Sequence, residues 1–127
     1  MKKRENELSG EIVAAAIEVH RALGPGLLES TYETCLAHEL EIRRLQFERQ
    51  KALPVSYKGV RLDAGYRIDL LIEDRVLVEA KAVDGLTPLH EAQVLSYLRL
   101  GGWKLGLLIN FNVPLLRKGV KRIVLGL

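Results

Sequence analysis

Three residues carry most of the chemical information in this 127-residue chain: Asp69, Glu79 and Lys81. They interrupt two apolar segments, Tyr66–Ile72 and Val76–Val83, that read as strands joined by the short link Glu73-Asp74-Arg75. Acidic residues and lysine are depleted in strands. Side chains alternate along a strand, so Glu79 and Lys81 share a face. If the link is a hairpin loop, Ile72 pairs with Val76 and Asp69 falls opposite Glu79; a one-residue change in the loop would undo this register. Two carboxylates and an ammonium would then share one patch. Adjacent carboxylates repel, and one keeps its proton unless a cation is supplied. Mg2+ or a similar hard cation would supply it, bound through one or two carboxylates and keeping several waters. Such an ion polarises a phosphoryl oxygen and acidifies a bound water. A lysine beside it can stabilise the charge of a phosphodiester transition state or hold the attacking water. For so short a pattern, the plain alternative is an ion pair of Lys81 with Asp69 or Glu79 on a solvated sheet face.

Helices must position these strands. Ser9–Leu23 is predicted helical because Ile12, Val13, Ala16, Ile17, His20 and Leu23 recur at helical spacing, with Ser9 as N-cap and Gly24-Pro25-Gly26 as the stop. A second helix is predicted from Leu27 or Leu28 to about Leu45. Its apolar side carries Leu28, Tyr32, Leu36 and Leu40, and its charged remainder, including Glu33, Glu39, Glu41, Arg43 and Arg44, faces solvent. Phe47–Tyr57 reads as a strand bent near Pro54, Lys58-Gly59 as a turn and Val60–Leu62 as a short further strand. Thr87 is a natural N-cap for a third helix, with Pro88 in its first position and Gly101-Gly102 at its end. On that helix Gln93 and Tyr97 are four apart and share a face, with His90 three residues before Gln93. The polar edge of an amphipathic helix would account for all three equally well. Lys104–Phe111 is almost wholly apolar, which suits a central strand covered on both faces, and Lys121–Leu125 is the last strand.

Composition narrows the class. Apolar residues make up 48% of the chain, enough to argue against disorder, and the length suits one domain spanning 1–127. A net charge of +3 permits a polyanionic partner without demanding one. The single cysteine, Cys35, cannot form an internal disulfide and reads as a small buried residue. No run of about 18 apolar residues suggests a membrane span, and no signal-peptide stretch follows the charged Met1–Glu7; both point to the cytosol. Gly24-Pro25-Gly26 is too short for a phosphate-binding loop, no Cys–His grouping has zinc spacing, and serine-hydrolase motifs are missing. His20 and His38 read as structural or exposed. No alternating basic–aromatic stripe marks a base-stacking surface. Arg21, Arg67, Arg99, Lys104, Arg117, Lys118, Lys121 and Arg122 remain candidates for phosphate contact.

At Ile68-Asp69 and Glu79-Ala80-Lys81 the sequence resembles the PD-(D/E)XK nuclease superfamily, with isoleucine in the place of the proline. The predicted element order contains that superfamily's α-β-β-β-α-β core. The resemblance therefore implies a restriction-endonuclease-like α/β fold, with a mixed central sheet flanked by helices. Gly26-Leu27-Leu28-Glu29-Ser30-Thr31-Tyr32 fits G-x-x-E-x-x-Y and is similar to the small bacterial family of GxxExxY proteins, assigned to the same superfamily. That similarity extends over Val19–Gly26, the Asp69–Lys81 hairpin and Gly106–Phe111. Gln93-x-x-x-Tyr97 also looks like the Q-x-x-x-Y motif of some superfamily nucleases.

The resemblance implies Asp69, Glu79, Lys81 and Gln93 as catalytic residues, with Asp69, Glu79 and Glu29 around a Mg2+ or Mn2+ ion. Gly26, Tyr32 and Tyr97 would support them. Each has a plainer reading too. Gly26 can be a helix-boundary glycine with positive φ, Glu29 a carboxylate favouring the helix dipole, and Tyr32 either a hydrogen-bond partner of Glu29 or a core residue. The expected function is metal-dependent hydrolysis of phosphodiesters in DNA, or in RNA. The alternative is a catalytically silent nucleic-acid-binding or protein-interaction module on the same fold. The small size favours a homodimer or a protein partner in either case.

Overall fold

The computed structural model describes residues 2–127. Met1, at the head of the charged N-terminal stretch, lies outside them, as do the side chains of Lys2 and Lys3. The elements follow in the order α1 (Lys2–Leu23), α2 (Glu29–Ile42), β1 (Phe47–Ala52), β2 (Val55–Tyr57), β3 (Val60–Leu62), β4 (Arg67–Ile72), β5 (Val76–Lys81), α3 (Pro88–Gly101), β6 (Leu105–Asn110) and β7 (Val120–Val124). Five strands form the central sheet in the order β1-β4-β5-β6-β7. All neighbours are antiparallel except β5 and β6, which run parallel across α3. This is the mixed sheet flanked by helices that the resemblance implies.

Two apolar clusters fill the two faces. Leu70, Ile72, Val76, Val78, Leu107 and Ile109 pack under α1 and α2, while Leu71, Leu77 and Leu108 pack under Val94, Tyr97 and Leu98 of α3. Every residue of β6 is buried, as its unbroken apolar run demands. Gly106 lets α3 approach: a Cβ there would stand 2.6 Å from a Val94 methyl. The outer strands present charges at exposed positions, Glu48 and Arg49 on β1 and Lys121 and Arg122 on β7, which discourages pairing with other edges.

Several local expectations are corrected. Helix α1 begins well before Ser9, which is buried inside it rather than capping it. Leu8 extends the Ile12–Ala16–Val19 face inward, and an ion pair between Glu5 and Arg75 ties the first turns to the sheet. Helix α2 stops at Ile42, because Arg44 turns left-handed at φ +61°. Leu28, expected on its apolar side, is the exposed N-cap. Phe47–Tyr57 is not one bent strand: β1 joins the main sheet, while β2 pairs only with β3 in a separate hairpin. Tyr66 and Val83 lie just outside their strands. Thr87 does cap α3, with His90 completing a reciprocal pair: the His90 N–H donates to Thr87 Oγ1 at 3.2 Å and the Thr87 N–H donates to His90 Nδ1 at 3.1 Å.

Candidate active site

The sheet opens around Asp69. The β4–β5 ladder runs from Ile72–Val76 to Leu70–Val78, in the register expected from a three-residue loop, and stops there. One step further, side chains replace the rungs. The Asp69 N–H donates to Glu79 Oε2 at 2.9 Å, and the Ala80 N–H donates to Asp69 Oδ2 at 2.9 Å. On its other flank, β4 pairs with β1 at Arg49 and at Lys51 but not at Gln50 between them. Gln50 is left-handed, φ +48°, a conformation costing a non-glycine residue about 1–2 kcal/mol. The two-residue alternation breaks here as well, since Ile68 and Leu71 pack in the same cluster beneath α3.

The distortion aims Gln50 at the site. Its Nε2 donates to Asp69 Oδ1 at 3.3 Å and to Glu33 Oε1 at 2.9 Å. Glu33 Oε2 in turn accepts from Arg49, Nε at 3.3 Å and Nη2 at 3.2 Å. Glu33 is therefore not on a solvated face; it is buried and reaches Asp69 through Gln50. Sequence reasoning missed this chain. The available signal was helical spacing: Glu33 precedes Leu36 and Ala37 by three and four, on the side that α2 buries.

Burial dominates the electrostatics. It raises the Asp69 carboxyl above its ordinary range, with the Glu33 charge adding to the rise and the Ala80 N–H opposing it. Glu79 is 5% exposed, and burial, followed by repulsion from Asp69, pushes its pKa up to about 8. Lys81 lowers both, but less than burial raises them. The protein alone thus leaves a carboxylate pair short of positive charge.

Lys81 shares the β5 face of Glu79 and lines a cleft with Gln93 and Tyr97 of α3. Gln93 Nε2 donates to the Tyr97 hydroxyl at 3.0 Å. Burial, then the Glu79 charge, raises the Tyr97 pKa, which places its ring within the field of the pair. His90 lines the cleft as well, but its Nδ1 belongs to the α3 cap.

Glu29 reaches the end of β5 from the start of α2. Its Oε2 accepts from the Ala82 N–H at 3.1 Å, one residue beyond Lys81. Among the described residues no three Asp, Glu, His or Cys side chains converge as a metal cage. Tyr32 does not bond Glu29. Its hydroxyl donates to Gly24 O at 2.5 Å and accepts from the Leu27 N–H at 3.1 Å, and its ring stacks on Phe111 with centroids 4.6 Å apart. It fastens the Gly24–Leu27 turn to the core, and Gly26 supplies the positive φ, +99°, that the turn requires. The loop after β5 is held by Asn110, which accepts from the Val83 N–H and donates to Val83 O.

The donor set fits a hard divalent ion. Asp69 and Glu79 offer oxygens only, the missing charge is positive, and Mg2+ is ordinarily bound through one or two carboxylates with water completing its shell.

A family model described as the PD-(D/E)XK nuclease superfamily matches residues 6–123. No curated protein and no solved structure matches the chain. The match takes in α2, α3, most of α1, the main sheet up to Ile123 and the Asp69–Lys81 hairpin, so the chain belongs to the PD-(D/E)XK nuclease superfamily.

Proposed function

We propose that this protein is a Mg2+- or Mn2+-dependent nuclease of the GxxExxY type, hydrolysing phosphodiester bonds in DNA or RNA. The observation that carries this reading is the crossed pair of hydrogen bonds that holds Asp69 and Glu79 side by side at the opening of the sheet, next to the Lys81 cleft. Asp69 and Glu79 would hold the ion. When bound, it would supply Lewis acidity to the phosphate and lower the pKa of water.

The chain's own groups supply the rest. Lys81 places an ammonium where negative charge grows on the phosphate, and its strand is fixed by the Glu29 bond to Ala82. Gln50 holds Asp69 from one side. Gln93 holds the Tyr97 hydroxyl at the cleft wall, keeping donors and acceptors fixed rather than free to reorganise.

The test is Mn2+ and Mg2+ titration calorimetry on wild type and Asp69→Ala, with cleavage of single- and double-stranded DNA followed on the same samples. Binding and cleavage lost together in Asp69→Ala is the expected result. Metal binding without cleavage of DNA would leave the ion site standing and make DNA the wrong substrate. No binding at millimolar ion, with or without nucleic acid, would sink the metal-dependent reading.

A further inference from the structure

Between α3 and the β2–β3 hairpin lies an open cleft of about 620 Å³ that Lys81 joins to the carboxylate pair. Its walls are chiefly apolar. Val55 of the hairpin and Tyr66, just before β4, form one side, and Leu89, Tyr97 and Leu100 of α3 the other. Three of these present apolar surface to solvent: Leu89 is 78% exposed, Tyr66 44% and Leu100 41%. The Tyr66 and Tyr97 rings meet at a tilt of 58° with centroids 6.0 Å apart. A concave, mainly apolar cleft of this size with a few polar groups is the usual form of a binding site.

The chemistry of the walls selects what can lie there. A phosphate or sugar gains little from Leu89, Leu100 or Val55, whereas the flat face of a nucleobase gains from leucine and tyrosine alike. In a duplex those faces are already stacked on neighbouring bases. Positive charge complements the backbone of such a strand: Lys58 and Arg61 on the hairpin and Arg67 at the start of β4 are all exposed.

We infer that the cleft binds unstacked nucleobases of a single-stranded nucleic acid whose backbone crosses Lys81. This deepens, and rests on, the nuclease reading above. The substrate class is then single strands and frayed ends rather than intact duplex.

Fluorescence anisotropy tests it, using a labelled oligonucleotide and the blunt duplex of the same sequence. Chelator is present so that cleavage does not intervene, and cleavage of both is assayed separately with Mn2+. The single strand is expected to bind the wild type about tenfold or more tightly than the duplex. Tyr66→Ser should weaken strand binding by about tenfold, Leu89→Asp should weaken it similarly, and Tyr66→Phe should restore it. These side chains are exposed enough for the variants to fold, which circular dichroism checks. Equal or tighter duplex binding overturns the inference, as does strand binding that neither Tyr66→Ser nor Leu89→Asp alters. If duplex is bound and cleaved while single strand is not, the inference fails and the nuclease reading stands. If neither is bound or cleaved, with DNA and RNA alike, both fail.

Discussion

The Glu79 carboxyl ionises near pH 8 in the folded chain, against 4.5 for an ordinary glutamate. Below about pH 4.5 folded and unfolded states both hold the proton, so this group's full contribution to stability is present there. From there to about pH 8 the unfolded chain alone releases it, and the metal-free protein loses stability with rising pH until the folded carboxyl ionises as well. Glu79→Gln should therefore flatten the fall in thermal midpoint between about pH 5 and about pH 8.5, and saturating Mg2+ should flatten it in the wild type. Equal slopes for wild type and variant would show that Glu79 is not raised. Ion binding near neutral pH should also release about one proton, measurable by calorimetry in buffers of different ionisation heat. Gln50 makes a separate prediction. Glycine accepts its φ of +48° without strain, so in Gln50→Gly the strain relieved, about 1–2 kcal/mol, should offset part of the stability lost with the bonds to Asp69 and Glu33. Loss of such a supporting bond costs metal affinity about tenfold. Unchanged affinity would mean that the strained residue does nothing for the site.

Elements set the distance between α3 and the sheet, and so the width of the Lys81 cleft. Helix α3 lies on β6 at Gly106, where an added methyl would reach within 2.6 Å of Val94 Cγ1. Valine is stiff at χ1 and cannot swing aside. Gly106→Ala should cost about 1–3 kcal/mol, and Val94→Ala in the same chain should recover part of it. Chemical denaturation of the single and double variants measures the coupling, and strictly additive losses would disprove the contact. At the helix start, Thr87→Ala removes the oxygen that accepts the His90 N–H and should cost about 1 kcal/mol. The mostly exposed Gly24–Leu27 turn, pinned by the hydroxyl of the buried Tyr32, shows why a helix can begin at Glu29 without a side-chain cap: a core residue holds the preceding loop in place.

At the scale of the whole molecule, the buried carboxylate pair is a standing cost that an ion would relieve. A ligand that binds only the folded state stabilises it by about 2.7 kcal/mol at a hundred times its dissociation constant. For a chain of this length each kcal/mol corresponds to roughly 4 °C. Saturating Mn2+ should therefore raise the wild-type midpoint by about 10 °C and leave Asp69→Ala almost unmoved. A rise of the same size in both proteins would place the ion elsewhere. Members of the superfamily generally use divalent ions, and the donor set here fits that use. No helix among the described residues is long and apolar enough to cross a membrane.

What the sequence determined by itself is what depends on neighbours along the chain. The Asp69–Glu79 register followed from the length of the Glu73-Asp74-Arg75 link, and the bond pattern at Asp69 and Ala80 continues it. The α3 start followed from Thr87-Pro88, and the buried β6 from its unbroken apolar run. Ser9 failed because an inward-facing Leu8 and an ion pair with the distant β4–β5 loop outweighed a local cap signal. Glu33 failed because charge on a helix predicts solvent unless a partner is known, and its partners, Arg49 and Gln50, come from another element. The same holds for the cleft. Tyr66 and Tyr97 stand far apart in sequence and form no stripe, yet β4 and α3 bring their rings to 6.0 Å. Period and spacing encode which residues share a strand or a helix face. Which faces meet, and which charges lose their water when they do, is decided only when the sheet closes between its two layers of helices.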